Sequence, residues 1–307
     1  MTLSPSARFA SDPFSEVLAA LGTRSVRGTS LTASGDWALT FDGRARLKFV
    51  AVTLGQCWLL FPGRPPEALT AGDVFLLSNT PYTVASSLTV EPTDGMALYA
   101  GPGQDFVRLG EGCETALIGG GSGFAGSSAA FVFDALPTHL RIDRASPGAE
   151  AVTRTIKSMQ FETEHGNVGS SLVKERLAEI LVVEAVRAYI ATSPSDIVSW
   201  ITALADRRIG TALRLMHGDV ARHWTVPMLA VEVGMSRSAF TERFATRVGR
   251  SPMDYLTHWR MVLAQRKLDS GHSVSAVAEA VGYSSQSAFA HAFKRIMGRS
   301  PRYGSAG

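Results

Sequence analysis

Short apolar runs broken by turn signals fill residues 12–135, and a helical period takes over after Pro147. In the first stretch, Leu47-Lys-Phe49-Val-Ala-Val52, Cys57-Trp-Leu-Leu-Phe61, Asp73-Val-Phe-Leu-Leu77 and Ala130-Phe-Val-Phe133 read as strands, punctuated by Pro62-Gly63, Pro65-Pro66 and Ala71-Gly72. That grammar predicts an all-β barrel or sandwich. From Glu150 to about Glu164, and from Gly169 to about Thr192, the pattern is helical. In the second of these, Val173, Leu177, Ile180, Leu181, Ala185 and Ala188 form an apolar stripe suited to packing on the barrel or on a second copy of the same helix. From Trp200 onward the chain reads as short helices.

Residues 225–303 contain an internal repeat. Phe240, Phe244, Gly249 and Pro252 recur as Phe289, Phe293, Gly298 and Pro301, each 49 positions later, and Gly234 recurs as Gly282 one step out of register. Each copy has the grammar of a helix-turn-helix. Thr225 caps a first helix with Pro227 in its opening turn, Met228, Leu229 and Val233 give it an apolar face, and Gly234 ends it in the left-handed conformation. Ser236 caps the helix that follows. In the second copy Ser273 caps, Val274, Val277 and Val281 pack, Gly282 turns, and Ser284 or Ser285 caps. Each Phe pair, at i and i+4, faces inward and leaves a polar opposite face that could enter a major groove. Between the copies, Pro252 to Leu268 reads as one long helix of roughly 24 Å, a rigid spacer for two recognition helices about one DNA turn, ~34 Å, apart.

Composition agrees with this division. A chain of 307 residues has room for two or three domains, and 45% hydrophobic with 19% charged residues is a globular profile. No run approaches the roughly 18 apolar residues of a membrane span, and the start lacks the order of a secretory signal, so a cytoplasmic protein without a membrane partner is expected. The net charge of +3 is unevenly spread: residues 1–205 hold 15 Lys and Arg against 20 Asp and Glu, and residues 206–307 hold 15 against 7. A basic module joined to an acidic one is the footprint of a nucleic-acid binder with a separate control domain.

Residues 200–303 resemble the DNA-binding domain of the AraC/XylS family of bacterial transcription regulators. The resemblance is carried by Trp259-Arg260-Met261 with Ala264, by Val277-Ala278 through Val281-Gly282-Tyr283-Ser284-Ser285, and by Phe293-Lys294-Arg295 to Gly298-Arg-Ser-Pro301. It implies that Arg237, Ser238, Thr241 and Glu242 of the first recognition helix meet base edges, as do Gln286, Ser287 and His291 of the second, while Arg243, Arg247, Lys294 and Arg295 meet phosphate. The chemistry suits these roles. Gln can bond adenine twice, Glu can accept from cytosine and Arg can fork onto guanine, each good pair discriminating by roughly 1–3 kcal/mol, whereas phosphate contacts add affinity that salt weakens. His291 fits a capping or solvated role equally well. Ala288 and Ala290 point to a second helix that reads fewer bases or depends on DNA shape.

The order of barrel, helical connector and basic tail also resembles the family's plan, in which a cupin-like barrel binds a small effector and the connector dimerises. Asp12-Pro13, Gly55-Gln-Cys57-Trp58-Leu59, Leu69-Thr-Ala-Gly72-Asp73-Val-Phe-Leu-Leu77 and Phe133-Asp134 resemble the cupin-type sensor of one AraC subgroup. The architecture implied is α+β and multidomain: a cupin-like effector-sensing β-barrel over 1–145, a helical dimerising connector over 146–198, and an all-α double helix-turn-helix over 199–307. Its implied partners are double-stranded promoter DNA, RNA polymerase, an unidentified small-molecule effector and a second copy in a homodimer.

All seven histidines fall at position 139 or later, and where the subgroup often has histidine this chain has Val50 and Tyr82. Metal-binding cupins hold their ion with two or three histidines and a carboxylate, so neither metal nor cofactor is expected, and the barrel is expected to bind rather than transform. The alternative is a cupin enzyme carrying a DNA-binding tail. Cys57, Cys113 and Trp58 are candidate sensor residues. A thiolate flanked by cations reacts with oxidants or electrophiles, whereas a free cysteine in an apolar strand is usually an inert small hydrophobe. Trp37, Trp58 and Phe61 either line an effector pocket or fill the barrel. Gly121-Ser-Gly123-Phe-Ala-Gly126 matches a dinucleotide fingerprint in form only, because the stretch after it is too short and strand-like for the helix that motif needs, and a hairpin loop is expected there.

Overall fold

The computed structural model describes residues 12–21, 24–44, 46–101, 104–123, 130–142, 148–192 and 198–301. Its strands are β1 (Arg24–Ala33), β2 (Ala38–Phe41), β3 (Arg46–Leu54), β4 (Gln56–Leu60), β5 (Glu67–Thr70), β6 (Val74–Ser78), β7 (Tyr82–Ala85), β8 (Thr93–Asp94), β9 (Phe106–Leu109), β10 (Thr115–Gly123) and β11 (His139–Ile142). Its helices are α1 (Pro13–Leu21), α2 (Gly95–Leu98), α3 (Ala130–Phe133), α4 (Ala149–His165), α5 (Ser170–Thr192), α6 (Trp200–Ala203), α7 (Arg207–Gly218), α8 (Val226–Glu232), α9 (Arg237–Val248), α10 (Pro252–Asp269), α11 (Val274–Ala280) and α12 (Gln286–Met297). Among the described residues no helix is long and apolar enough to cross a membrane. The chain divides into a sheet unit, Thr23–Phe124 with Leu136–Ser193, and a helical unit, Met1–Gly22 with Ala125–Ala135 and Pro194–Gly307.

In the sheet unit, β3, β4 and β6 lie where three of the apolar runs predict strands. The described strands do not close into the expected barrel. They form two sheets, in the orders β11-β6-β3-β10-β1-β9 and β5-β4-β7-β2-β8, that share one core as a cupin-like sandwich. The physical reason is visible at Gly55, where β3 of one sheet passes to β4 of the other. Its φ is +71°, and a Cβ there would overlap the Glu114 carbonyl, so glycine allows the chain to switch layers abruptly. Period-2 alternation then sends Leu31, Ala33, Val50, Val52, Phe75, Leu77 and Leu117 of the first sheet against Trp37, Leu39, Cys57, Leu59, Leu69, Tyr82 and Val84 on the second-sheet side.

The outer face of the six-stranded sheet is covered by α5, which packs on β1, β3, β10 and β11, with α4 alongside. The predicted stripe of α5 is split between two uses. Leu181, Ala185 and Ala188 are buried with Ala178, Val182, Val186 and Tyr189, while Val173 and Ile180 remain exposed with Leu172. Asp73 of the Leu69–Leu77 motif is buried and structural: its carboxylate accepts from the Thr70 amide at 2.8 Å and pairs with Arg141 at 3.0 Å.

The helical unit gathers α1 and α3 with α6–α12, so two segments ahead of residue 199 belong to it. Ala130–Phe133 is the helix α3, not the expected strand. A four-residue apolar run cannot separate a strand from a buried helical turn, and its context decides. Here the Phe131 ring stacks on Trp200 with centroids 5.3 Å apart, and its carbonyl accepts from the Trp200 indole at 2.9 Å. α1 is fixed by Phe14, 6.5 Å from the Trp200 ring, and by Glu16, which lies 3.2 Å from His217 Nδ1; His217 Nε2 is in turn 2.8 Å from the Tyr255 hydroxyl. Gly121–Gly123 end strand β10 instead of forming a loop, and the rest of that glycine motif lies outside the described residues, as does the expected boundary at 145.

Candidate nucleic-acid interface and sensor cavity

Both helix-turn-helix copies are built as the repeat predicts. Thr225, Ser236, Ser273 and Ser285 accept from the amides of Met228, Ala239, Ala276 and Ala288 at 3.2–3.4 Å, so each of the four helices starts on a side-chain cap, and Ser285 rather than Ser284 serves the last. Gly234 (φ +64°) and Gly282 (φ +82°) make the two turns. Phe240, Phe244 and Val248 of α9 are buried, as are Phe289, Phe293 and Met297 of α12. The conserved spacing of those side chains fixes the rotation of each helix and leaves its other face outward.

On α9, Arg237, Ser238 and Glu242 are exposed. Thr241 is half-buried, and its hydroxyl donates to the Arg237 carbonyl at 2.9 Å, leaving oxygen lone pairs for any further partner. Ala245 and Thr246 share the exposed side with Glu242. They were not singled out from the sequence, although their phase, three and four residues past Glu242, marks them. Arg243 and Arg247 are held within the protein: both reach Asp206, Arg243 Nη2 at 2.8 Å and Arg247 Nε at 3.8 Å. Asp206 also caps α7 through the Arg208 and Ile209 amides. Burial works to raise its pKa, but the Ile209 amide and the Arg243 guanidinium outweigh burial and hold the carboxyl below its ordinary range.

On α12, Gln286, Ser287, His291, Lys294 and Arg295 are all exposed, and among the described residues none of these side chains makes an ion pair or hydrogen bond within the protein. His291 therefore caps nothing. Arg260 of α10, a motif residue with no role assigned from the sequence, is buried and ties the α7–α8 connection to the turn of the second copy. Its Nε donates to the Val220 carbonyl at 3.0 Å and its Nη2 to the Arg222 carbonyl at 2.8 Å, and its guanidinium lies 5.8 Å from the Tyr283 ring centroid.

The sheet unit contains a cavity of about 710 Å³, within the size range of small-molecule sites. Its wall includes Arg46, Lys48, Val50, Tyr82, Tyr99 and Gly119. Val50 and Tyr82 thus face the same space. Burial pushes the Lys48 ammonium down to about 8, with Arg46 adding to the shift. Among the described residues no group of three or more His, Cys, Asp or Glu could hold a metal ion.

The sensor residues expected from sequence are elsewhere. Cys57 is packed in the sandwich core, where burial, helped by Asp73, pushes its thiol up to about 12, the reverse of what a reactive thiolate needs. Cys113 is exposed, and both thiols are free. Trp37 and Phe61 fill the core, and Trp58, next to the inward Cys57, takes the opposite side of β4. The alternation that buries Cys57 is what turns Trp58 away.

A cupin family profile matches residues 12–191, and a helix-turn-helix domain profile matches residues 229–303. The chain is 38% identical over 293 residues to an AraC-like transcription regulator of Streptomyces antibioticus, covering 94% of this chain and 97% of that one. It is 35% identical over 175 residues to the transcriptional regulator AlkR of Acinetobacter baylyi, covering 56% of this chain and 57% of AlkR. Among solved structures, the DNA-binding domain of AdpA in complex with a target DNA is 31% identical over 30% of this chain and 84% of that one, with a TM-score of 0.29. ToxT of Vibrio cholerae is 12% identical, spans 90% of this chain and 94% of its own, and has a TM-score of 0.33. With the cupin fold in the sheet unit and the doubled helix-turn-helix in the helical unit, the chain belongs to the AraC family of DNA-binding transcription regulators that carry an N-terminal cupin domain.

Proposed function

We propose that this regulator is a one-component switch, in which an effector entering the cavity of the sheet unit changes how α9 and α12 engage promoter DNA. The observation that carries it is the presence in one chain of two capped recognition helices with outward polar faces and a separate cavity of about 710 Å³. Arg237, Ser238, Thr241 and Glu242 would read one major groove, and Gln286, Ser287 and His291 the next. Lys294 and Arg295, unpaired within the described protein, would bind phosphate directly, while Arg243 and Arg247, held beside Asp206, would add phosphate contacts of their own.

In this scheme the parts divide as a sensing domain over 1–145, a connector over 146–198 and a DNA-binding domain over 199–307. The exposed Leu172, Val173 and Ile180 of α5 suit a homodimer formed through the connector. The protein would act in the cytoplasm, with RNA polymerase as the further partner at the promoter. Relatives named as regulators support a cavity that binds its occupant without chemistry. For the effector to regulate, it must have different affinities for two states of the protein, and a tenfold change in DNA affinity corresponds to about 1.4 kcal/mol of coupling.

The test is selection of bound sequences from a random DNA pool by the full-length protein at near-physiological salt. An enriched motif with two half-sites about one helical turn apart is the expected result. Enrichment of a single half-site, without a second one a helical turn away, would refute the double reader.

A further inference from the structure

The inward side of β3 changes character along its length. Val52 and Val50 belong to the sandwich core, and the next two positions facing the cavity are Lys48 and Arg46. Beside it, paired in antiparallel register, β10 changes in step from Leu117 to Gly119 and Gly121. Where the core would continue, two cations and a bare backbone floor therefore border open space. A Cβ at Gly121 would overlap the Leu47 carbonyl, and one at Gly119 would come within 3.2 Å of Thr29 Oγ1, so the floor is kept low at both positions. Across from it Phe41 and Tyr82 stack with centroids 5.1 Å apart and planes 19° from parallel.

Lys48 Nζ lies 5.1 Å from the Phe41 centroid, 5.4 Å from that of Tyr82 and 4.0 Å from Met96 Sδ. Among the described residues neither Lys48 nor Arg46 has a carboxylate within ion-pairing distance, and no Asp or Glu lines the cavity. Asp42 acts on both cations from beyond ion-pairing distance but does not offset the burial of Lys48; ring faces and a thioether are weak substitutes for a close counter-ion, and an ammonium withdrawn from water without one is costly. An anion entering the cavity would supply the missing charge. The stacked rings and the glycine floor favour a flat apolar body behind that charge.

We infer that the cavity binds a small aromatic carboxylate, its carboxylate held by Lys48 with Arg46 beside it and its ring lying between the Gly119–Gly121 floor and the Phe41–Tyr82 pair. The inference rests on the sheet unit being the sensing half of the regulator.

Isothermal titration of the full-length protein, without DNA, tests it with benzoate, cinnamate and biphenyl-4-carboxylate, each paired with its neutral carboxamide. At least one acid should bind ten or more times more tightly than its amide. In Lys48→Met that preference should fall below threefold while amide affinity persists, and Gly119→Val, which fills the floor, should weaken acid and amide together. Thermal melts of both variants establish that they are folded. Absence of binding by all three acids, equal affinity for acid and amide, or an acid preference that survives Lys48→Met would overturn the assignment. Because no DNA is present, these failures would leave the DNA reader standing, and a failed DNA selection would leave a positive titration intact.

Discussion

Lys48 carries its charge at a cost that its burial sets. Burial, with Arg46 two residues away, moves the ammonium from 10.5 to about 8. A displacement of that size corresponds to about 3 kcal/mol of native-state penalty below pH 8. The unfolded chain keeps its proton up to about pH 10.5 and the folded one releases it near 8, so between those values the unfolded state binds more protons and stability rises with pH. Lys48→Met should therefore raise stability at pH 7 by up to about 3 kcal/mol, and the gain should shrink towards pH 10. Denaturant melts of both proteins at pH 7 and 10 measure this directly; a gain independent of pH would assign it to packing instead. Tyr82 and Tyr99, both pushed upward by burial, resist ionisation in either protein and largely cancel in the comparison.

The two proposed classes of DNA contact also separate at single residues. Gln286 is exposed at the start of α12 with its amide available to a base edge, whereas Lys294 offers a point charge. On a selected site, Gln286→Ala should relax preference at one base position by roughly 1–3 kcal/mol. Lys294→Ala should weaken all sequences alike and reduce the slope of log affinity against log salt by about one. Binding titrations on specific and scrambled DNA at several salt concentrations distinguish these outcomes, and identical behaviour of the two variants would contradict the division.

At the scale of elements, Arg260 ties α10 to the α7–α8 connection and to Tyr283 of the second copy. Arg260→Met would remove the donors to the Val220 and Arg222 carbonyls and should cost about 2–4 kcal/mol. Gly282→Ala should also destabilise, by more than about 1 kcal/mol, because the residue has φ +82° and a Cβ would sit 2.5 Å from the Ala221 carbonyl oxygen and 2.8 Å from Arg260 Nη2. Chemical denaturation should show both losses; wild-type stability of Arg260→Met would remove Arg260 from this role, and wild-type stability of Gly282→Ala would remove the constraint argued for the turn.

These elements were readable in the chain because local rules and tertiary packing agree there: a capping hydroxyl, an i,i+4 aromatic pair and a left-handed glycine each specify the same boundary. The sheet unit was less legible. β10 reads Thr-Ala-Leu-Ile-Gly-Gly-Gly-Ser-Gly, and its glycines have little intrinsic preference for a strand; only pairing with β1 and β3 makes it one. α3 was mistaken for a strand because its four residues are too few to show a period. The cavity has a signal in the chain: Arg46 and Lys48 occupy the same alternation phase as Val50 and Val52, and charge in a core phase marks a place where the core stops. The aromatic residues Trp37 and Phe61 continue the core instead.

On the scale of the whole molecule, the charge is unevenly spread along the chain, acidic over residues 1–205 and basic over 206–307. The part of the chain with 15 Lys and Arg against 7 Asp and Glu presents the doubled helix-turn-helix, and its excess of cations suits a polyanion whose binding falls with salt. Its repeat is a geometric statement as much as a sequence one. Two copies in one chain, joined by the 18-residue α10, should address two successive major grooves on one face of the duplex without requiring a palindromic site.

Hydroxyl-radical footprinting of the full-length protein on its selected DNA sequence tests that claim most directly. The predicted result is two protected segments about 10–10.5 base pairs apart on the same face of the helix, with Gln286→Ala weakening one segment and Glu242→Ala the other. A single protected groove, or protection that ignores sequence, would contradict the double reader on which the functional account depends.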